Sequence, residues 1–235
     1  MNWFASVDIY CERLSPAYWA EPVNALSNIA FVLAAIWAGF SAKSRGITSP
    51  AIWVLIPWAA LIGVGSYLFH THANRWSEMA DVIPIWGFVA AYVLISVNRL
   101  GGVQPGKLAK IVAIGAICGF ITSVFFAIGE GDTTTLAHDY THSVDPLNGS
   151  GQYAPALIAL LVLSFVMWRR KHPQRGWALG AVAVFFTSLL ARTVDMSLCE
   201  AIPGGTHFMW HILNGLMVGL LLQLLIRATP AKQRI

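Results

Sequence analysis

Residues 51–70 read AIWVLIPWAALIGVGSYLFH: nineteen positions without a charged side chain, closed by His70. About 20 apolar residues in a helix cross a hydrocarbon core of roughly 30 Å. The stretch therefore reads as a transmembrane helix. An imidazole at its margin is costly unless something binds it. A second run repeats the pattern from the other end: His207 and His211 open an apolar segment that continues to Ile226.

The rest of the chain follows the same rule. Of its 235 residues 57% are hydrophobic and 11% charged, against about 25% charged in an ordinary soluble domain. That is too few to cover a water-facing surface. The apolar runs are continuous rather than alternating, which selects helices over a membrane barrel. The expected fold is an all-α integral membrane protein, a single domain over 1–235 containing seven transmembrane helices. The spans fall near 24–42, 51–70, 81–98, 108–128, 153–169, 177–194 and 206–227. Asp8, Glu12 and Glu21 precede the first run where a signal peptide would carry basic residues.

Charge orients the bundle. When alternate connections are assigned to opposite sides, one side receives Lys43, Arg45, Arg99, Lys107, Lys110, Arg169, Arg170, Lys171, Arg175, Arg227, Lys232 and Arg234. That is twelve of the fifteen basic residues, and all eleven acidic residues fall on the other side. The positive-inside rule then puts the N-terminus outside and the C-terminus in the cytoplasm. The short inner loops fit a bacterial inner membrane. No basic cluster is interleaved with aromatics, so nucleic acid is not an expected partner. Cys11 and Cys199 share the outer side, where they are free to form a bridge or to stay two separate thiols. Cys118 lies inside the fourth span as a small buried hydrophobe. The longest outer connection, 129–151, carries His138 and His142 in an acidic, Gly- and Pro-punctuated stretch and reads equally as a binding loop or a solvated one.

The candidate chemistry gathers at the outer ends of the spans. Ser66 and His70 are four residues apart, as are His207 and His211, so each pair shares a helix face. Asp81 opens the third span on the same side. Three neutral imidazoles around Zn²⁺ leave a fourth tetrahedral position for water, the catalytic rather than the closed structural pattern. Asp81 then has the role of general base, and Ser66, one turn below His70, that of hydrogen-bond donor to an oxyanion. Taken singly, Asp81 is equally a helix N-cap and the histidines packing residues. His72, two residues from His70, is turned to another face. His172 lies in a basic surface cluster.

At these residues the chain resembles the alkaline ceramidase family, within the membrane-hydrolase superfamily that also contains the adiponectin and progestin receptors. The resemblance rests on Asp8–Glu12, Trp19–Asn28, Gly65–Thr71, Met79–Pro84, Arg192–Asp195 and Cys199 through His211. It implies a zinc-dependent amidase in the membrane that cleaves ceramide, or a related N-acyl lipid, to a sphingoid base and a fatty acid. It implies His70, His207 and His211 as zinc ligands, Ser66 as oxyanion stabiliser, Asp81 as the residue activating water, and a bridge between Cys11 and Cys199. It also implies a calcium site in the acidic N-terminal segment, carried here by Asp8, Glu12 and Glu21, oxygen donors of the kind calcium takes. That match is partial: Asp8 is displaced by one residue relative to the cysteine, and Arg13 and Leu14 stand where polar residues are expected. On the residues alone the segment is a solvated acidic stretch in which Glu21 caps the first span. Two other classes fit the histidines: a zinc-binding receptor of the adiponectin-receptor kind, against which the short inner loops count, and a non-catalytic protein with a structural metal.

Overall fold

The computed structural model describes residues 2–104, 106–107 and 145–230. Among these residues the secondary structure is helical, with one isolated bridge between Ser6 and Asn74. The α-helices are α1 (Pro22–Ser27), α2 (Ile29–Ser44), α3 (Pro50–His72), α4 (Arg75–Arg99), α5 (Ala154–Arg169), α6 (Arg175–Thr193) and α7 (His207–Ala228). Six segments are long and apolar enough to cross a membrane: Pro22–Ser44, Pro50–His72, Arg75–Arg99, Ser150–Arg169, Arg175–Thr193 and His207–Ala228. The seventh expected span, 108–128, lies outside the described residues. So do Cys118, His138 and His142.

The chain forms two compact units, residues 1–93 with 145–235, and residues 94–144. The described part of the second is the end of α4 and the residues after it, where Asn98 donates to the Val103 carbonyl at 2.9 Å. In the first unit α7 is the central helix. It packs against α6, α2, α1 and α3, and Leu222, Leu224, Leu225 and Ile226 are closed off almost completely. The outer faces are apolar as well. On α2, Leu33, Ile36, Trp37 and Phe40 are exposed, and on α5 so are Ile158, Leu161, Val162 and Phe165. Polar groups inside and bulky apolar groups outside is the arrangement that hydrocarbon solvent selects.

Small residues set the helix spacing where packing, not water exclusion, holds helices together. A Cβ on Gly65 of α3 would run into the backbone of Ala80 and Asp81 on α4, and one on Gly215 of α7 would run into Ala30 on α2. Gly65 thus lets α4 lie against α3 at the level of Ser66 and Asp81.

The third span differs from its expected boundaries. It begins at Arg75, so Asp81 is nearly two turns inside the helix rather than at its opening. The cause is a tight local cap. Asn74 Oδ1 accepts the Ser77 backbone N–H at 3.2 Å, while the Ser77 hydroxyl accepts the Asn74 N–H at 3.1 Å. This reciprocal pair starts a helix whose first turn, Arg75-Trp76-Ser77-Glu78, is too polar to register as part of an apolar run. The connection from α3 shrinks to Ala73 and Asn74, with Ala73 left-handed at φ 43°. The N-terminal segment lies over this turn: Val7 donates to the Ala73 carbonyl at 2.9 Å, and Arg75 donates to the Ala5 carbonyl at 3.2 Å.

Replacing Gly65 with Ala overpacks the α3–α4 contact and is expected to cost about 1–3 kcal/mol, read as a lower Tm in detergent. Gly176→Ala, where an added Cβ meets nothing within 4 Å, is expected to leave Tm unchanged.

Candidate metal centre

His70 ends α3 and His207 and His211 begin α7. All three are buried, each with 1% exposure, and one ring nitrogen from each lies within 4.8 Å of the others. The hydrogen bonds around the rings fix which nitrogens face inward. Nδ1 of His70 meets the Glu21 carboxylate at 2.6 Å. Nδ1 of His211 meets the Ser27 hydroxyl at 2.7 Å, and that hydroxyl already donates its hydrogen to the Asn24 carbonyl at 2.8 Å. Ser27 must therefore accept from His211. In a neutral ring each Nδ1 then carries the hydrogen and each Nε2 is a bare lone pair. Those two Nε2 atoms face each other at 3.1 Å, a repulsive approach that a cation between them would relieve. Nδ1 of His207 is buried with no hydrogen-bond partner. Three buried imidazoles with ring nitrogens gathered this closely are the donor set that suits a zinc-type ion.

The residues behind the ligands hold them in place. Glu21 is the hub. Its carboxylate accepts from His70, from Asn24 at 3.1 Å and from the Arg13 guanidinium, which also donates to the His70 carbonyl at 3.0 Å. Burial works against the Glu21 charge, but the hydrogen bonds from His70, Arg13 and Asn24 hold its pKa below the ordinary glutamate value. A carboxylate on the outer nitrogen of a ligating histidine fixes the tautomer and raises ligand basicity. On the other side Asp195, fully buried, accepts the backbone N–H of Thr206 at 2.7 Å and of His207 at 2.9 Å. A carboxylate on the first amides of α7 is favoured by the helix dipole, and it sets the helix end that carries His207.

Beside the histidines, the Asp81 and Ser66 side chains lie close enough to interact. Asp81 Oδ1 is closed from solvent and has no partner among the described residues. Ser66 Oγ is 3.5 Å from His211 Nε2. Tyr10 of the N-terminal segment stacks on His207 with ring centroids 3.6 Å apart, and its hydroxyl accepts from Arg192 at 2.7 Å. Burial pushes the Tyr10 phenol up despite Arg192, so Arg192 meets a neutral hydroxyl and not a phenolate.

The residues expected from sequence at the metal, His70, His207, His211, Ser66 and Asp81, thus lie together. The three expected calcium ligands are placed differently among the described residues. Asp8 is exposed. Glu12 accepts the backbone N–H groups of Val23 and Asn24 at 2.7 and 2.8 Å, capping α1 from a distance. Glu21 is committed to His70, Arg13 and Asn24. Cys11 and Cys199 lie with Cα atoms 5.6 Å apart, within disulfide reach, and Asp195 also accepts the Cys11 N–H at 3.1 Å. His72 is exposed against Tyr18 and Trp76.

Sequence reasoning did not assign Ser27, Asn24, Arg13, Tyr10, Asp195 or Arg192 to the centre, and it gave Glu21 another role. A signal was present. Glu21, Asn24 and Ser27 or Asn28 recur at three- and four-residue steps, a polar stripe on one face of an otherwise apolar helix start.

A helical membrane bundle with three buried imidazoles converging beside a carboxylate defines a membrane-embedded protein with a metal-capable polar centre. The chain belongs to the ceramidase family: the family profile described as Ceramidase matches residues 5–234. The family supports a hydrolytic enzyme with a lipid substrate. No curated protein matches the chain.

Glu21→Gln keeps the shape of the hub and removes its charge. It is expected to weaken metal binding by about 10–100-fold, measured by competition with a chromogenic chelator. His211→Ala is expected to abolish stoichiometric metal in elemental analysis of the purified protein.

Proposed function

We propose that the protein is a zinc-dependent amide hydrolase that cleaves ceramide, or a related N-acyl lipid, to a sphingoid base and a fatty acid. The observation that carries this reading is the approach of the His70 and His211 lone pairs beside the unpaired Asp81 oxygen. Zinc held by His70, His207 and His211 would polarise the amide carbonyl and acidify a water molecule.

The chain supplies the rest. Asp81, with one carboxylate oxygen free, takes a proton from water as general base and returns it to the departing amine nitrogen as general acid. While Asp81 is ionised it holds the Ser66 hydroxyl hydrogen. Protonation of Asp81 frees that hydrogen for the oxygen on which charge develops, so proton transfer and oxyanion stabilisation are coupled through one hydrogen bond. Glu21 and Ser27 keep the His70 and His211 rings from turning. Tyr10 covers His207.

In the same reading a disulfide between Cys11 and Cys199 fastens the N-terminal segment over the centre. The charge asymmetry supports an outer location for this end of the bundle and the N-terminus and a cytoplasmic C-terminus, and the short inner loops fit a bacterial inner membrane. Substrate reaches the centre from the lipid. Calcium has no part in the reading.

The test is hydrolysis of a fluorescent ceramide by protein purified in detergent, with activity abolished by chelation and restored by zinc. Asp81→Asn is expected to keep its metal and lose about 10²–10⁴ in kcat. Ser66→Ala is expected to lose about 10²–10³. Full activity in Asp81→Asn excludes Asp81 as the base, and ceramide turnover indifferent to chelation overturns the metal mechanism.

A further inference from the structure

Arg192 is a buried charged side chain that the mechanism leaves unused. It projects from the last turn of α6 and is 5% exposed. Its guanidinium carbon sits 5.4 Å from the Tyr10 ring, 5.7 Å from Tyr153 and 5.4 Å from Trp210. Two of those rings belong to the centre's own wall: Tyr10 stacks on His207, and Trp210 adjoins His211 in the chain. Arg192 also lies close enough to act electrostatically on Asp81.

A buried cation normally has an anion beside it, because an unpaired charge away from water is expensive. The other buried arginine of the centre, Arg13, meets Glu21. Arg192 has no carboxylate within ion-pair distance among the described residues. Its hydrogen bond is to the neutral Tyr10 hydroxyl, and its Nε–H is buried and unpartnered. Aromatic faces compensate part of the charge, but they do not satisfy a donor. Asp81 and Asp145 act on Arg192 only through the field, and a guanidinium with a buried donor to spare, close to the place where an amide is cleaved, suits a planar carboxylate taken by two parallel hydrogen bonds.

We propose that Arg192 is the carboxylate-binding residue of the centre. The proposal rests on the hydrolase reading for its setting. The carboxylate comes either from the fatty acid released by amide cleavage or from an N-acyl amino acid bound as substrate. Either source places a negative charge next to Arg192 that neutral ceramide lacks.

The experiment is a binding measurement on the metal-loaded protein in detergent, using displacement of a fluorescent fatty-acid probe. Palmitate is compared with hexadecanol, and N-palmitoylglycine with N-palmitoylethanolamine, so each pair differs in the carboxylate at matched acyl length. Wild type is expected to favour palmitate by about tenfold or more, the scale of a charge-assisted hydrogen bond. Arg192→Gln is expected to bring that ratio close to one. Arg192→Lys, which keeps the charge without the fork, is expected to retain part of it. Preference for N-palmitoylglycine assigns the carboxylate to substrate; preference for palmitate alone assigns it to product.

Equal binding within both pairs in wild type overturns the proposal. So does an undiminished preference in Arg192→Gln at equal metal content, because the carboxylate is then held by the metal. If Arg192→Gln does not fold, an undiminished preference in Arg192→Lys overturns the fork, and a preference reduced several-fold supports it. Palmitate and hexadecanol contain no amide to cleave, so that pair is read without turnover and loss of ceramide hydrolysis leaves its outcome unaffected.

Discussion

The hydrogen bond from His70 to Glu21 is the constraint on which the centre depends. A histidine at a helix end in a membrane has two nitrogens to satisfy and one ring angle to choose. Glu21 settles both, because a carboxylate on Nδ1 leaves Nε2 as a lone pair pointing inward. The same carboxylate must then be kept ionised away from water. Arg13 and Asn24 do that, and Arg13 reaches past Glu21 to the His70 carbonyl. A chain of charges and amides from the N-terminal segment thus controls the orientation of a ring 49 residues later.

The second half of the centre is built differently. His207 and His211 are held from behind by neutral or dipolar means: a serine hydroxyl on one ring, a tyrosine face on the other, and an aspartate on the first amides of the helix that carries both. Two helices therefore present their ligands with opposite electrostatic support, an ion pair behind α3 and a capped helix dipole at α7. Gly65 completes the geometry by letting α4 come close enough for Asp81 to reach Ser66. Bulk at that one position would press on the Ala80–Asp81 backbone and separate Asp81 from Ser66.

Much of this was legible in the sequence, and the reasons are physical. Long apolar runs announce membrane helices because hydrocarbon admits few alternatives, and residues such as His70 or His211 stand out at their margins. The i, i+4 spacing gave the shared face of His207 and His211. Less legible was the start of α4, since the Asn74–Ser77 cap lies in a polar stretch and the apolar signal begins later. Glu21 was legible only as an acid near a helix start, its partner being fixed by tertiary packing. Arg192 stood out only as part of the family-like stretch Arg192–Asp195, and only the fold turns it toward Tyr10, Tyr153 and Trp210.

The order of the chain carries a consequence for biogenesis. Glu21, His70 and Asp81 leave the ribosome early, whereas His207 and His211 lie on α7, the last described helix, with 141 residues separating the two facing nitrogens. Until α7 inserts, His70 and Asp81 have nothing to converge on. The three-histidine cluster is therefore incomplete until α7 is in place, and a bundle lacking that helix leaves the inward nitrogen of His70 and the Asp81 carboxylate facing apolar surroundings, a ready mark for cellular quality control.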